Sequence, residues 1–127
     1  MAKDIGWQKV FDTGLDSVVI RHYEDGIKGG KVLDVTGFNE EFIKTGHVII
    51  KSATDVYKPM PVSNGAYGSL PANHTYVGVS VTTTATDEPM VGIMTSGEVN
   101  DAAVPFPMTS IMAAFKAAVP TIRFDHD

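Results

Sequence analysis

Turn signals cut the chain into short pieces, and that spacing constrains its fold more than any other feature. Asp25-Gly26, Gly29-Gly30, Thr45-Gly46, Asn64-Gly65, Gly68-Ser69, Asp87-Glu88-Pro89 and Ser96-Gly97 fall between runs rich in β-branched and apolar residues. Gly and Asn tolerate the positive φ of tight turns, and Pro presets φ at a neighbouring position. Runs this brief suit strands better than helices. The expected fold is therefore mainly β, a β-rich α+β class: a small antiparallel barrel or sandwich-like domain.

Tyr76 to Thr82 is the clearest strand, because Val77, Val79 and Val81 alternate with Gly78, Ser80 and Thr82 to give one apolar face. Asp87-Glu88-Pro89 turns the chain, and Met90 to Thr95 returns with Val91 and Ile93 on one face. Ser96-Gly97 reads as a second turn and Glu98 to Val104 as a third strand, completing an antiparallel meander. Gly78 and Gly92, inside strands, mark a bulge or a close backbone approach. Ser17–Ile20, Lys31–Val35 and His47–Lys51 are further short strands. Pro59 and Pro61 place residues 56–62 at a sheet edge, and 63–74 reads as a loop.

One helix is expected near the C-terminus. Pro107 precedes it, Thr109 or Ser110 caps it, and Ile111, Phe115, Ala118 and Val119 share one face. Pro120 stops it, and Thr121–Phe124 alternates as a short final strand. A weaker helical turn is expected at Asn39–Lys44, and Met90, Met94, Met108 and Met112 are expected to fill the core. Residues 1–45 read as an N-terminal arm with short strands and 46–127 as the β domain, so the 127 residues amount to one ordinary domain of roughly 100–150 residues.

With no cysteine, the chain has no disulfide framework, thiolate metal site or cysteine nucleophile. The net charge is −5, and no basic stripe favours nucleic acid. No apolar run approaches a membrane span or a signal-peptide core, so neither a membrane nor a leader is expected. His22, His47, His74 and His126 lack metal-ligand spacing, and no nucleophile elbow G-x-S-x-G is present. His47 is expected to be a strand residue with a solvated ring, and His74 a loop residue. Gly26-Ile27-Lys28-Gly29-Gly30-Lys31 lacks the phosphate-loop spacing and reads as a tight turn. No reactive constellation emerges: no catalytic residue, metal or cofactor is expected, and the chain reads as structural or binding rather than enzymatic.

The order of segments from residue 46 onward carries a resemblance. Gly46-His47-Val48-Ile49 leads to Tyr57-Lys58-Pro59, then Val77-Gly78-Val79, then Met90-Val91-Gly92-Ile93 ending in Ser96-Gly97-Glu98-Val99, a Pro-bounded helix and a last strand. This succession resembles the head decoration proteins of tailed bacteriophages. Lys58-Pro59-Met60-Pro61 and Ser96-Gly97-Glu98-Val99-Asn100 are also similar to short head-fibre or auxiliary capsid proteins. The resemblance implies a non-enzymatic virion protein on the outer surface of the assembled head. It implies a homotrimer at three-fold positions that contacts the major capsid protein and cements the capsid. Residues 1–45 depart from the family pattern, with more strand signal than a flexible arm. Within them Ile5, Trp7, Val10 and Phe11 are the candidate capsid or subunit contacts, Trp7 being the best hot-spot candidate. Two rival readings stand beside this one. A host-surface glycan-binding module would use Tyr57, Tyr67 and Tyr76 with the 63–74 loop; a small hydrolase would use His74 or His47 with a nearby carboxylate.

Overall fold

The structure, a computed structural model, describes residues 19–38, 40–63 and 65–125. In chain order the strands are β1 (Ile20–Val32), β2 (Phe42–Ile43), β3 (Val48–Ser52), β4 (Tyr57–Pro59) and β5 (Val62–Ser63). They continue with β6 (Ala66–Tyr67), β7 (His74–Ser80), β8 (Thr84–Ala85) and β9 (Met90–Asn100); helix α1 (Met112–Ala118) and β10 (Ile122–Asp125) close the chain. The chain is strand-rich, as the turn spacing implies.

Strand β9 is the spine of a six-stranded sheet ordered β1-β9-β7-β3-β4. Along one edge it pairs with β1, antiparallel from Ile20↔Val99 to Val32↔Met90. Its other edge is shared. Strand β7 takes Ile93 and Met94, and β10 runs parallel from Ile122↔Gly97 to Asp125↔Asn100. The expected turn at Ser96-Gly97 is therefore absent, and β9 runs straight through it to Asn100; of the third strand expected at Glu98–Val104 only residues 98–100 are strand, and 101–104 turn away. Gly97 is needed for a different reason: a side chain there would strike the His22 carbonyl and the Met94 sulfur. Gly78 meets the expectation of close approach, since a side chain on it would collide with the Met94 carbonyl of β9.

Asp25-Gly26 and Gly29-Gly30 do not turn the chain either. Strand β1 passes through both, and its register against β9 slips between Tyr23 and Asp25, Asp25 and Gly26, and Ile27 and Lys31. The glycines are spent on bulges, which let one strand bend along its partner. Instead of two short strands at 17–20 and 31–35, one long strand joins Ile20 to Val32, and residues 33–35 lie beyond it.

Both faces of the sheet are covered. On one, Val48, Ile50, Val79, Met94 and Val99 pack with Ile111, Phe115, Val119 and Ile122. On the other, Ile49, Val91 and Ile93 pack with Leu33 and Ile43. Ile49 and Ile50, neighbours on β3, are both fully buried because successive side chains point to opposite faces. The second face is closed by the segment after β1, pinned by the β2–β8 ladder through Phe42↔Ala85 and Ile43↔Thr84. That ladder replaces the helical turn expected at 39–44, because burying Ile43 against the sheet favours an extended chain. Loop 63–74 contributes Ala66–Tyr67 to a small β5–β6 hairpin.

The sheet curls but does not close, so the barrel alternative is corrected to an open sheet. Its two edges are β1 and β4. The chain leaving β1 bridges them: the Leu33 amide, donating to the Pro89 carbonyl (2.9 Å), prolongs the pairing with β9, and the next amide, of Asp34, donates to the Tyr57 carbonyl of β4 (2.8 Å). Local hydrogen bonds bridge the edges where a barrel would need a ladder.

Helix α1 buries Ile111, Phe115 and Val119 as its spacing requires, while Ala118 stays exposed. Phe115 meets Tyr76 and Phe124 edge-on at 5.4 and 5.7 Å. Its N-cap is Ile111, with no side-chain cap, rather than Thr109 or Ser110. Those two lie inside a turn closed by the Ile111 amide on the Met108 carbonyl (3.0 Å). The helix ends before Pro120, as expected.

Candidate interaction surface

The four predicted contact residues, Ile5, Trp7, Val10 and Phe11, lie outside the described residues. Among the described residues, no three His, Asp or Glu side chains converge in a way that could hold a metal ion.

His47 is 1% exposed, which overturns its expected solvated ring. Its ring stands edge-on to Phe38, Tyr67 and Phe106 at 5.3, 5.3 and 5.6 Å. Its Nε2–H donates to the Met60 carbonyl at 3.0 Å. Burial disfavours the charged ring and pulls its pKa down from 6.5 to about 4, outweighing the opposing effect of the Met60 bond. His74 opens β7 opposite Ser52, whereas His47 precedes Val48, which pairs with Val79. The two histidines therefore sit at opposite ends of the β3–β7 ladder and are not brought together. His74 donates its Nδ1–H to the Ala72 carbonyl at 2.8 Å.

The three tyrosines separate in the same way. Tyr67 belongs to the core; its hydroxyl oxygen accepts the Val48 amide hydrogen bond at 3.1 Å, and burial pushes its pKa well above the usual phenol range. Tyr76, half-buried, borders an open groove of about 460 Å³ between Gly68–Leu70 and, on the far side, Ser110 of the turn before the helix and Ala114 within it. Tyr57 lies on the edge strand β4 beneath two cations. The Lys31 Nζ is 5.2 Å from its ring centroid and the Lys51 Nζ 6.0 Å. Lys51 is the direct cross-strand partner of Tyr57 and also lies 3.5 Å from the Asp55 carboxylate. Lys31 arrives from the opposite edge strand, carried there by the curl of the sheet. Lys58, the next residue on β4, pairs with Ile50 and points to the other side of the sheet; it helps to hold the Asp34 carboxyl low, after the larger contribution of the Thr36 hydrogen bonds.

Next to that face the surface turns apolar. Val32 is 67% exposed and Met90 59%, and they are direct partners at the end of the β1–β9 ladder. Met90, expected in the core, is therefore on the surface, while Met94 and Met108 are buried. Val32 and Met90 border an open groove of about 630 Å³ whose other wall is the acidic turn Asp87-Glu88-Pro89. One sequence signal foreshadowed this. Val32 and Leu33 are adjacent, and extended chain directs such neighbours to opposite sides; Leu33 took the interior.

A second polar cluster ties three strands together. Glu24 of β1 accepts from the Arg123 guanidinium of β10 (3.0 Å) and from the Ser96 hydroxyl of β9 (2.7 Å), with His22 at 3.9 Å. The Arg123 and Ser96 hydrogen bonds hold the Glu24 carboxyl below its usual range. The cluster is solvent-exposed, and such pairs contribute little to stability. No protein-family model, curated protein or solved structure matches the chain.

Proposed function

We propose that this chain is a structural virion protein that binds the outside of an assembled phage head and stabilises it as a decoration protein, as a homotrimer at three-fold positions. One observation carries the reading: the ordered succession of segments from Gly46 to Phe124 that resembles the decoration family. It is supported by the way those segments pack, as a sheet buried on both faces with a helix and a last strand docked onto its spine. Such a body is stiff, and stiffness is what a clamp on a pressurised shell needs. The exposed Val32–Met90 pair supports it too, since paired apolar side chains at the end of a ladder suit a protein contact. The role is non-enzymatic and needs no cofactor; the major capsid protein is the partner.

The test is addition of the purified chain to matching undecorated heads. Binding that stabilises the assembled state raises its disruption temperature by mass action. Saturating protein that neither sediments with the heads nor raises that temperature refutes the reading. The groove beside Tyr76 favours a second role on the same particle, capture of host-surface glycan. Binding to heads together with no binding on a broad glycan array eliminates that role alone.

A further inference from the structure

We infer that residues 3–11 of this chain lie extended in the open groove beside Val32 and Met90, so that the chain straps its own exposed apolar pair. The contact is independent of the decoration reading.

The groove has a defined chemistry. Val32 and Met90, partners at the end of the β1–β9 ladder, are the most exposed large apolar side chains described. With Thr84, Asp87, Glu88 and Pro89 they border an open space of about 630 Å³. Among the described residues that line it, none is a cation. Lys31 directly precedes Val32, but neighbours on a strand point to opposite faces, and Lys31 sits over the Tyr57 ring on the other side of the sheet. The exposed Glu88 therefore keeps this rim acidic. Acidic occupants are repelled, and an occupant that fits is apolar in the middle and cationic at its flanks.

Residues 3–11 have that pattern. At the period of an extended chain, Lys3, Ile5, Trp7, Lys9 and Phe11 share one face, while Asp4, Gly6, Gln8 and Val10 share the other. One face thus carries both lysines of the segment with Ile5 and Trp7 between them, and its single acid falls on the opposite face. The segment is positive within a chain of net charge −5. Its tether is long enough. The ladder from Val99 to Met90 covers roughly 30 Å, and the stretch from Trp7 to Val19 spans up to about 40 Å when extended. A tethered segment meets its own groove at an effective concentration on the order of mM, which favours it over the same segment of a second copy. In the free chain, Ile5, Trp7 and Phe11 and the Val32–Met90 pair shelter each other.

The experiment reads Trp7, the single tryptophan, in the full chain by its emission maximum and by acrylamide quenching, with the urea-unfolded chain as reference. It compares wild type with Val32→Asp, Met90→Asp, Glu88→Lys and Lys3→Glu/Lys9→Glu, and with Val56→Asp as an exposed apolar position away from the groove. Circular dichroism confirms folding of each. The expected wild-type emission lies to the blue of the unfolded chain and is quenched several-fold less. Val32→Asp and Met90→Asp shift it to the unfolded maximum and abolish the protection. Glu88→Lys and Lys3→Glu/Lys9→Glu lose part of it, and Val56→Asp none. A wild-type emission already at the unfolded maximum overturns the contact. Protection that survives both Val32→Asp and Met90→Asp places Trp7 elsewhere and overturns the groove as its site. Protection that disappears on dilution of the folded wild type assigns the occupant to a second copy and overturns the strap within one chain.

Discussion

Acidification should unfold this protein through His47 before it does so through any carboxylate. The unfolded chain protonates that ring near 6.5, whereas burial among Phe38, Tyr67 and Phe106 delays protonation in the folded state to about 4. Between those values the unfolded state binds the extra proton, so stability is complete above 6.5 and falls as the pH drops toward 4. At about 1.4 kcal/mol per pH unit in this window, acidification from about pH 7 to about pH 5 removes about 2 kcal/mol. That is a large part of the roughly 5–15 kcal/mol that holds a domain folded. Glu24 and Asp34 are also held low, but their losses begin only as the pH falls toward the ordinary carboxylate values of 4.5 and 3.8. The interval above pH 5 therefore isolates the histidine. The assay is urea unfolding followed by far-ultraviolet circular dichroism at about pH 7, 6 and 5, for wild type and His47→Gln. Gln keeps an N–H for the Met60 carbonyl and does not titrate, so its curve lies lower at neutral pH but stays level on acidification. Parallel wild-type and His47→Gln profiles, or a level wild-type profile, refute the reasoning.

Three further outcomes follow from packing and surface geometry. Phe115→Ala empties the space under the helix where Phe115 is fully buried, and should lower unfolding free energy by about 3–5 kcal/mol in a urea titration. Gly78→Ala drives a methyl group into the Met94 carbonyl of the neighbouring strand and should lower the melting temperature far more than Gly65→Ala, where the added methyl meets open space and only the positive φ of 76° is strained. Arg123→Ala removes the guanidinium from Glu24 at an exposed site and should leave the urea midpoint of wild type unchanged, with the Glu24 carboxyl titrating higher by NMR.

What the chain declares locally, it keeps. Tyr76–Ser80 lies in β7, although a register slip at Val77 sends that side chain to the opposite core from Val79; Ile111, Phe115 and Val119 recur at helical spacing and are buried; the last strand forms at Ile122–Asp125. What it withholds depends on distant partners. Ser96-Gly97 looks like a turn in isolation, but three strands crowd together at Gly97, and only their pairing reveals that the glycine makes room. His47 looks solvated until Phe38, Tyr67 and Phe106, from three separate segments, enclose it. The basic face has the same origin, because Lys31 and Tyr57 sit on opposite edge strands and meet only when the sheet curls. The exposed Val32–Met90 pair was only half legible: the adjacency of Val32 and Leu33 implies that one of them faces outward, but the pairing with Met90 depends on a strand register that β1 reaches only after several slips.

Strand β9 takes partners far apart in sequence, β1 from Ile20 to Val32 and β10 from Ile122 to Asp125. During synthesis Ile20 must therefore wait until Val99 has been made before it has anything to pair with. Pairings so distant in sequence slow folding. Residues 20 to 99 must all leave the ribosome before this pairing can form, so the early strand emerges without its partner, and its bulges blunt its exposed edge in the meantime. A product that terminates before Ile122 lacks the strand that covers β9 from Gly97 to Asn100, and bare sheet edges invite aggregation.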